Sequence, residues 1–281
     1  METMINGVPT DLINVRDRGL QYGDGCFETI RVFDGKPILL NEHFRRLEAT
    51  CNYLRLELNT RLLMSELAQF LELCNRDSVL KIIITRGVGG RGYSSNSGIH
   101  ATRILMLSNY PDDYASKAEH GAVVAFSSFL LSNNSSLAGF KHLNRLDQVM
   151  ASFGISESVD ELVCLNQDGL VIEGTKSNLF MVVKDQAITP SIETAGITGV
   201  MREYLLQQFA SASIEVKSCT ISKRELLNAT EVFLCNSVFG VWPVRKLIEN
   251  ANVHTWPTGA LTVLAQQYHH DLLTTANQAI I

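Results

Sequence analysis

The chain has 281 residues, of which 46% are hydrophobic and 19% charged, a balance typical of a globular protein with a sizeable core. Its formal net charge of −5, without any run of like charge, argues against a nucleic-acid partner, which would favour a basic surface. No segment approaches the ~20 apolar residues of a membrane span, the N-terminus has no signal-peptide pattern, and the six cysteines form no C-x-x-C pair. We therefore expect a cytoplasmic protein with reduced thiols, no membrane partner and no metal; zinc or a disulfide is the less favoured alternative.

The first half of the sequence predicts a mixture of strands and helices. Apolar runs on both sides of Asp34-Gly35 indicate a hairpin, and Asn41 is a candidate cap for the helix that follows. A glycine-rich loop, residues 87–98, separates two further strands. In chain order, the predicted elements are strands 26–33 and 36–40, helices from 41 and from 60 to 74, and strands 79–85 and 103–108.

The second half continues this mixture and carries a clear helix signal, the capping box Ser222-Lys223-Arg224-Glu225. The predicted elements are strand 122–130, helix 143–152, hairpin strands 161–166 and 170–173, strand 178–183, helix 198–209, strands 214–219 and 232–235, and a last helix 258–273. Pro111-Asp112-Asp113 breaks the pattern near residues 110–121. We predict an α+β fold with a smaller N-terminal subdomain, residues 1–115, and a larger one, residues 116–281.

Lys141 follows an apolar, glycine-containing segment, Ala138-Gly139-Phe140, and precedes a helical pattern. A lysine in an apolar pocket loses its proton more easily, so that it can form a Schiff base and later act as a base. Taken alone, however, the spacing favours the commoner interpretation, a solvated surface lysine.

Two other motifs each have both a structural and a functional interpretation when considered alone. Glu173 ends an apolar strand before a glycine turn, where it is either a turn residue or a carboxylate that binds a protonated ring nitrogen. Gly196-Ile197-Thr198-Gly199 opens a predicted helix, where Thr198 is either an ordinary N-cap or part of a phosphate site at the positive end of the helix.

Together, these residues resemble the fold-type IV pyridoxal phosphate (PLP) enzymes, which include branched-chain aminotransferases, D-amino acid aminotransferases and aminodeoxychorismate lyases. The likeness extends from Asn6-Gly7 to Trp242-Pro243-Val244-Arg245 and depends on the order of a lysine, a glutamate about thirty residues later and a G-I-T motif. The resemblance implies a two-subdomain α+β fold, PLP in a cleft between the subdomains, and a homodimer.

The resemblance also implies a role for each motif residue. Lys141 would be the Schiff-base lysine, and Glu173 would keep the pyridine nitrogen protonated, so that the ring is a strong electron sink. Arg46, in His43-Phe44-Arg45-Arg46-Leu47, would pair with the cofactor's phosphate, although it could otherwise be a solvated helix residue. The other implied phosphate-binding residues are Ile197, Thr198 and Ser237, the last of which could also be a plain turn serine.

Within this family, three segments resemble the bacterial aminodeoxychorismate lyases: residues 21–29, 85–94 and 139–149. The stretch Arg86-Gly87-Val88-Gly89-Gly90-Arg91-Gly92-Tyr93-Ser94 is the most discriminating. Because the substrate of these lyases is a dianion, Arg86 and Arg91 are candidate partners of its carboxylates, with Tyr93 beside them. The alternative is a mobile surface loop whose arginines are solvated.

The implied reaction is an elimination in folate biosynthesis, in which 4-amino-4-deoxychorismate gives 4-aminobenzoate and pyruvate. Lys141 would remove the proton from the amine-bearing ring carbon and supply the proton for the leaving group. Two rivals remain: a D-amino acid or branched-chain aminotransferase of the same fold, and a catalytically silent, PLP-free binding protein.

Overall fold

The structure of the protein, a computed structural model, describes residues 2–72, 77–90, 92–94 and 99–278. The chain divides into two compact units. The first comprises the chain up to Tyr110, the short segment Lys141–Asn144 and the C-terminal end from Ala276; the second comprises Pro111–Phe140 and Arg145–Thr275. Within the described residues, none of the helices has both the length and the apolar character that crossing a membrane requires.

The first unit contains an antiparallel sheet. In chain order, its elements are β1 (Glu2–Ile5), β2 (Val8–Pro9), α1 (Arg18–Tyr22), β3 (Gly25–Phe33), β4 (Lys36–Pro37), α2 (Leu40–Tyr53), α3 (Thr60–Leu71), β5 (Ser78–Thr85) and β6 (Thr102–Asn109). Among the described residues the sheet has six strands in the order β2-β1-β6-β5-β3-β4. The longest pairing joins β3 to β5, from Gly25 opposite Thr85 to Val32 opposite Ser78.

The core of the first unit lies between this sheet and the helices. Alternate side chains of β3 and β5, such as Cys26, Ile30 and Ile82, are buried because successive residues of a strand point to opposite faces. From α2, Leu47 and Cys51 pack into the same cluster, at the four-residue spacing that places side chains on one helix face. This face of β3 also carries Glu28, which is described below.

The second unit contains a larger, mixed sheet. Its elements are α4 (Tyr114–His120), β7 (Ala122–Phe126), α5 (Leu146–Ser152), β8 (Glu161–Leu165), β9 (Val171–Gly174), β10 (Asn178–Val183), β11 (Gln186–Pro190), α6 (Val200–Ser211), β12 (Val216–Cys219), α7 (Lys223–Leu227), β13 (Glu231–Asn236), β14 (Gly240–Glu249), β15 (Asn252–Thr255) and α8 (Ala260–Gln278). In the described part of this unit, nine strands run β12-β11-β10-β13-β14-β7-β8-β9, with β15 paired to β14. The pairs β11–β12, β7–β14 and β7–β8 are parallel, and the other neighbours are antiparallel.

The second unit has a core of its own. Trp242 is fully buried with Leu179 and Leu234 from the neighbouring strands. On α6, the Phe209 ring meets that of Phe180 edge-on, with ring centres 6.0 Å apart. Burial of side chains of this size, worth roughly 1.5–3 kcal/mol each, fixes the central strands and the ends of β9 and β13 from which site residues project.

The α+β fold was predicted correctly, and so were most strands, but three helix starts were wrong. The helix expected from residue 143 begins at Leu146, because the backbone of His142 and Leu143 is bound to β3 instead. Asn41 is not a cap: α2 begins after Leu39, whose φ is 54° and which makes no side-chain cap. α6 begins at Val200, after Gly199, so Thr198 is not its N-cap. The capping box at Ser222 is confirmed.

Candidate active site

Lys141 lies in an extended segment of the first unit, beside the beginning of β3. The N–H of Phe27 donates to the carbonyl oxygen of Lys141 at 3.0 Å, and the N–H of Leu143 donates to that of Gly25 at 2.9 Å. Nζ of Lys141 lies 4.3 Å from the centre of the Phe27 ring. The backbone of this lysine is therefore held by a strand, and its amine lies over an aromatic face, an arrangement that attracts a cation.

Arg46 is bound to a carboxylate of the same unit. Its Nε and Nη2 donate to the two oxygens of Glu28, at 2.8 and 2.5 Å. Nδ1 of His43, three residues earlier on α2, lies 2.6 Å from Oε2 of Glu28. Glu28 is 1% exposed and His43 is fully buried. A buried carboxylate on β3 thus joins the arginine and the histidine of the H-x-x-R-L motif.

Burial acts on both ionisable neighbours of Arg46. It would raise the pKa of Glu28, but the charge of Arg46 and the hydrogen bonds from His43 and Arg46 prevail and lower this pKa to about 2. Burial lowers the pKa of His43 and outweighs the attraction of Glu28, and the charges of Arg46 and Lys141 act in the same direction. At neutral pH an ionised Glu28 therefore accepts a hydrogen bond from Nδ1 of a neutral His43.

Glu173 is the penultimate residue of β9 in the second unit and is 3% exposed. One of its oxygens, Oε2, accepts a hydrogen bond from the backbone N–H of Ile197 at 2.9 Å. The other, Oε1, accepts one from Nε2 of Gln148 at 3.2 Å. Burial lowers the pKa of Arg145, and the negative charge of Glu173 acts in the opposite direction. Hydrogen bonds donated to a carboxylate favour its ionised form, so Glu173 can face a cation.

The G-I-T motif packs against the segment that precedes Lys141. The N–H of Thr198 donates to the carbonyl oxygen of Gly139 at 3.0 Å, and the N–H of Gly139 donates to that of Gly196 at 3.0 Å. Gly196 has φ +89°, and a Cβ there would come within 3.1 Å of Oε2 of Glu173. The glycine is therefore what allows the N–H of Ile197 to reach Glu173.

These contacts change the expectation for Ile197 and Thr198. Both backbone N–H groups donate within the second unit, to Glu173 and to Gly139 respectively. The phosphate roles of Ile197 and Thr198 stay predictions, and the N–H groups that begin α6 are further candidate donors. Ser237 lies in the turn between β13 and β14, which Asn236 shapes by accepting hydrogen bonds from the N–H groups of Val238 and Phe239. Its phosphate role stays a prediction.

Arg86 makes four hydrogen bonds inside the first unit. Nε and Nη2 donate to the two oxygens of Asp24 at 2.7 and 3.0 Å. Nη1 and Nη2 also donate to the carbonyl oxygens of Arg55 and Leu54, each at 2.8 Å. Asp24 in turn accepts a hydrogen bond from Nε of the buried Arg18. This network favours a structural role for Arg86, and its predicted contact with substrate remains untested.

Arg91 and Tyr93 are the other two predicted substrate residues. Arg91 lies outside the described residues. The Tyr93 side chain is 91% exposed, and its ring meets that of Tyr22 edge-on, with ring centres 5.7 Å apart. Nη1 and Nη2 of Arg18 donate to the carbonyl oxygens of Gly92 and Tyr93 at 3.0 and 2.9 Å. Arg18 therefore fixes the backbone from which Tyr93 projects.

Comparison with known proteins connects these residues to a family: residues 25–247 match amino-transferase class IV. The chain belongs to this family. It is 35% identical over 261 residues to aminodeoxychorismate lyase of Vibrio harveyi, which covers 92% of this chain and 96% of that protein. The crystal structure of 4-amino-4-deoxychorismate lyase from Pseudomonas aeruginosa is similar with 40% identity and a TM-score of 0.90, covering 96% of this chain and 98% of that one. D-alanine aminotransferase of Bacillus licheniformis is 28% identical over 253 residues, 89% of this chain and 88% of that protein.

Membership in the class IV family confirms the predicted family, fold and dependence on PLP. The chemistry of the predicted residues fits such a cofactor. Lys141 has an amine of the kind that forms a Schiff base with an aldehyde, and Arg46 has a guanidinium of the kind that binds phosphate. Glu173 has a buried carboxylate of the kind that binds a protonated ring nitrogen. These roles stay predictions.

Sequence reasoning missed three residues that hold the class IV motif residues in place: Glu28, His43 and Gln148. Glu28 had a usable signal, because it occupies the same face of β3 as the buried Cys26 and Ile30, where a charged side chain is unusual. His43 shares a helix face with Arg46, three residues later. Gln148 carried no such signal, since α5 shows no pattern that predicts its contact with Glu173.

Proposed function

We propose that this class IV enzyme is a lyase that converts 4-amino-4-deoxychorismate to 4-aminobenzoate and pyruvate, a step of folate biosynthesis. The observation that carries the proposal is the likeness to lyases over nearly the whole chain, 35% identity to the Vibrio harveyi protein and 40% to the Pseudomonas aeruginosa protein. The D-alanine aminotransferase of Bacillus licheniformis, at 28% identity, is more distant.

The proposed chemistry assigns a task to each motif residue. PLP, when bound, supplies the electron sink for carbanion chemistry. Nζ of Lys141 removes the proton from the amine-bearing ring carbon of the substrate. Glu173 holds the proton on the cofactor's ring nitrogen, and Arg46 with the hydroxyls of Thr198 and Ser237 binds the phosphate.

Product formation follows from that proton abstraction. The C–O bond to the enolpyruvyl group breaks, Lys141 returns a proton to the leaving group, and pyruvate departs. The ring that remains is aromatic 4-aminobenzoate, so the step is effectively irreversible. Because Nζ of Lys141 lies over the Phe27 ring, the ammonium form is stabilised between the two proton transfers.

Contacts with the dianionic substrate are assigned to Arg86 and to the glycine-rich loop after it, where Arg91 and Tyr93 are candidates. Tyr93 offers an exposed hydroxyl on a backbone that Arg18 fixes. Arg86 is the weaker candidate because Asp24 and two backbone carbonyls already accept its hydrogen bonds.

We further propose a cytoplasmic homodimer. Along α5 and its C-terminal end, Leu146, Val149 and Phe153 are 70%, 47% and 72% exposed, and their spacing places them on one helix face. An exposed apolar face of this kind is typical of a surface that another chain covers. The cytoplasmic assignment is supported by the five described cysteines, which are free thiols.

The function is tested by supplying the purified protein with aminodeoxychorismate, made in situ from chorismate and glutamine by the synthase. We expect equal amounts of 4-aminobenzoate and pyruvate, and little transfer of an amino group from D-alanine or a branched-chain amino acid to 2-oxoglutarate. Efficient transamination without 4-aminobenzoate would assign the protein to the aminotransferases. Bound PLP should give a visible absorbance band that borohydride bleaches. A protein that shows no such band would be a PLP-free binding protein.

A further inference from the structure

The carboxylate of Glu28 occupies an unusual place in the first unit. It projects from the face of β3 that also buries Cys26 and Ile30, and that face packs in one cluster with Leu47 and Cys51 of α2. The side chain of Glu28 is 1% exposed. An ionised carboxylate is expensive to bury in such surroundings unless its oxygens are fully bound.

Both oxygens of Glu28 are bound, and the geometry is directional. Nε and Nη2 of Arg46 donate to Oε1 and Oε2 respectively, which fixes the plane of the guanidinium. Glu28 therefore sets the plane of the guanidinium and, with it, the direction from which Arg46 can approach a phosphate. The Arg46 side chain is 14% exposed, so the pair runs from the core towards the surface.

His43 completes the arrangement from the helix that carries Arg46. Its Nδ1 donates to Oε2 of Glu28 at 2.6 Å, the same oxygen that accepts from Nη2 of Arg46. Because His43 is neutral, it adds a hydrogen bond without competing with Arg46 for the charge of Glu28. The other ring nitrogen, Nε2, is buried without a hydrogen-bond partner in the described part of the chain, so stability alone does not account for a histidine here.

A buried ion pair contributes little to stability compared with apolar residues of similar volume, and its best-attested use is to fix one arrangement. We propose that Glu28 is a positioning residue, which through its two hydrogen bonds to Arg46 aims the guanidinium at the phosphate of the cofactor, while His43 fixes Glu28. This inference rests on the proposed phosphate role of Arg46 and adds the residue that makes that role directional.

The test compares two ligands that differ only in the phosphate, PLP and pyridoxal. The dissociation constant of each is measured for the apoprotein by tryptophan emission and by the absorbance of the bound ligand. In Glu28→Gln, which removes the charge and keeps the shape, we expect the preference for PLP over pyridoxal to fall roughly tenfold or more, the size of a lost hydrogen bond to a charged group. The affinity for pyridoxal should stay as in the unsubstituted protein.

The first unit offers a matched control in Glu66 of α3. Nε and Nη2 of Arg103 donate to the two oxygens of Glu66 at 2.8 and 2.7 Å, and the two side chains are 13% and 8% exposed. Glu66→Gln therefore disrupts a similar pair of the same unit, and its preference for PLP should be unchanged. If Glu28→Gln does not fold, Glu28→Asp is the second variant. It keeps the negative charge on a side chain that is one methylene shorter, and we expect the same fall in the preference for PLP over pyridoxal.

Different results would contradict the role of Glu28 and the role of Arg46. An unchanged preference in the folded Glu28 variant, or an equal fall in Glu66→Gln, overturns the positioning role of Glu28. An unsubstituted protein that binds pyridoxal as tightly as PLP contradicts the proposed phosphate role of Arg46 itself. The lyase reaction is independent of both results, because 4-aminobenzoate formation measures it directly.

Discussion

Two buried carboxylates of this protein, Glu28 in the first unit and Glu173 in the second, are held in different ways. Both are almost inaccessible, at 1% and 3% exposure. Glu28 accepts two hydrogen bonds from a cation, Arg46, and one from a neutral histidine. Glu173 accepts hydrogen bonds from two neutral groups, the backbone N–H of Ile197 and the amide of Gln148, and its charge also acts on Arg145.

The difference indicates two uses of a buried negative charge. The charge of Glu28 is met at contact distance by Arg46, and its effect is to orient that arginine. The neutral donors on Glu173 orient its carboxylate and favour the ionised form. A carboxylate held in this way has the charge that a protonated ring nitrogen needs opposite it, as the proposed mechanism requires. Four predictions test this contrast.

Glu28→Ala should have the largest effect, and it should be on stability. It leaves Arg46 partly buried without its carboxylate, and breaking a buried pair in this way costs about 3–5 kcal/mol. Urea unfolding monitored by circular dichroism measures the loss. The double variant Glu28→Met/Arg46→Met should recover most of it while binding PLP weakly; a double variant as unstable as the single one would mean that packing, not charge, is responsible.

Glu173→Gln should reduce catalysis and spare the fold. The amide oxygen of glutamine can still accept the hydrogen bond from Ile197, but the negative charge opposite the ring nitrogen is lost. We expect kcat/KM for 4-aminobenzoate formation to fall about 10²–10³-fold, as for the loss of one preorganised electrostatic contact. Steady-state kinetics and thermal unfolding of the same preparation measure both properties. A variant of normal activity would refute the assigned role of Glu173.

Acid should destabilise the protein through Glu28. Its folded-state pKa of about 2 lies below the ordinary value of 4.5. The corresponding stabilisation is complete above pH 4.5 and is lost as the pH falls towards 2, by about 3 kcal/mol at ~1.36 kcal/mol per unit. The lowered pKa of His43 adds a loss that begins below pH 6.5. Urea unfolding from pH 7 to pH 3 should show a shallower acid decline in Glu28→Gln, and an identical decline would exclude Glu28 as its source.

Gln148→Leu should have the smallest effect. It removes one neutral donor of Glu173, the hydrogen bond of 3.2 Å, and keeps the one from Ile197. We expect kcat to fall about tenfold and KM for the substrate to change little, since the loss concerns the orientation of Glu173 rather than substrate binding. Steady-state kinetics of this variant is compared with that of Gln207→Leu, a change at an exposed position of α6.

Local patterns predicted much of the fold. The run Leu80-Lys81-Ile82-Ile83-Ile84 predicted β5 because strand residues alternate between faces and apolar β-branched residues favour strands. The capping box at Ser222 predicted α7 from side-chain chemistry within four residues. Such elements depend mainly on residues that are close together in the sequence, so the sequence alone is enough to predict them.

Elements and contacts that depend on distant partners were not predictable in the same way. The predicted helix was to begin at residue 143, yet the backbone of Lys141 and Leu143 is bound by β3, more than a hundred residues earlier. The order of Lys141, Glu173 and the G-I-T motif indicated the cofactor correctly. The partners of these residues, such as Gln148 on Glu173 and Glu28 on Arg46, follow only from the folded chain.

Mass spectrometry tests most directly whether Lys141 holds the cofactor covalently. The PLP-loaded protein is reduced with borohydride and digested, and the peptides are sequenced. The account predicts that the reduced cofactor is attached to Lys141 and that the Lys141→Ala protein carries none. Attachment to another lysine, such as Lys81, whose Nζ lies 5.2 Å from the same Phe27 ring, would contradict it.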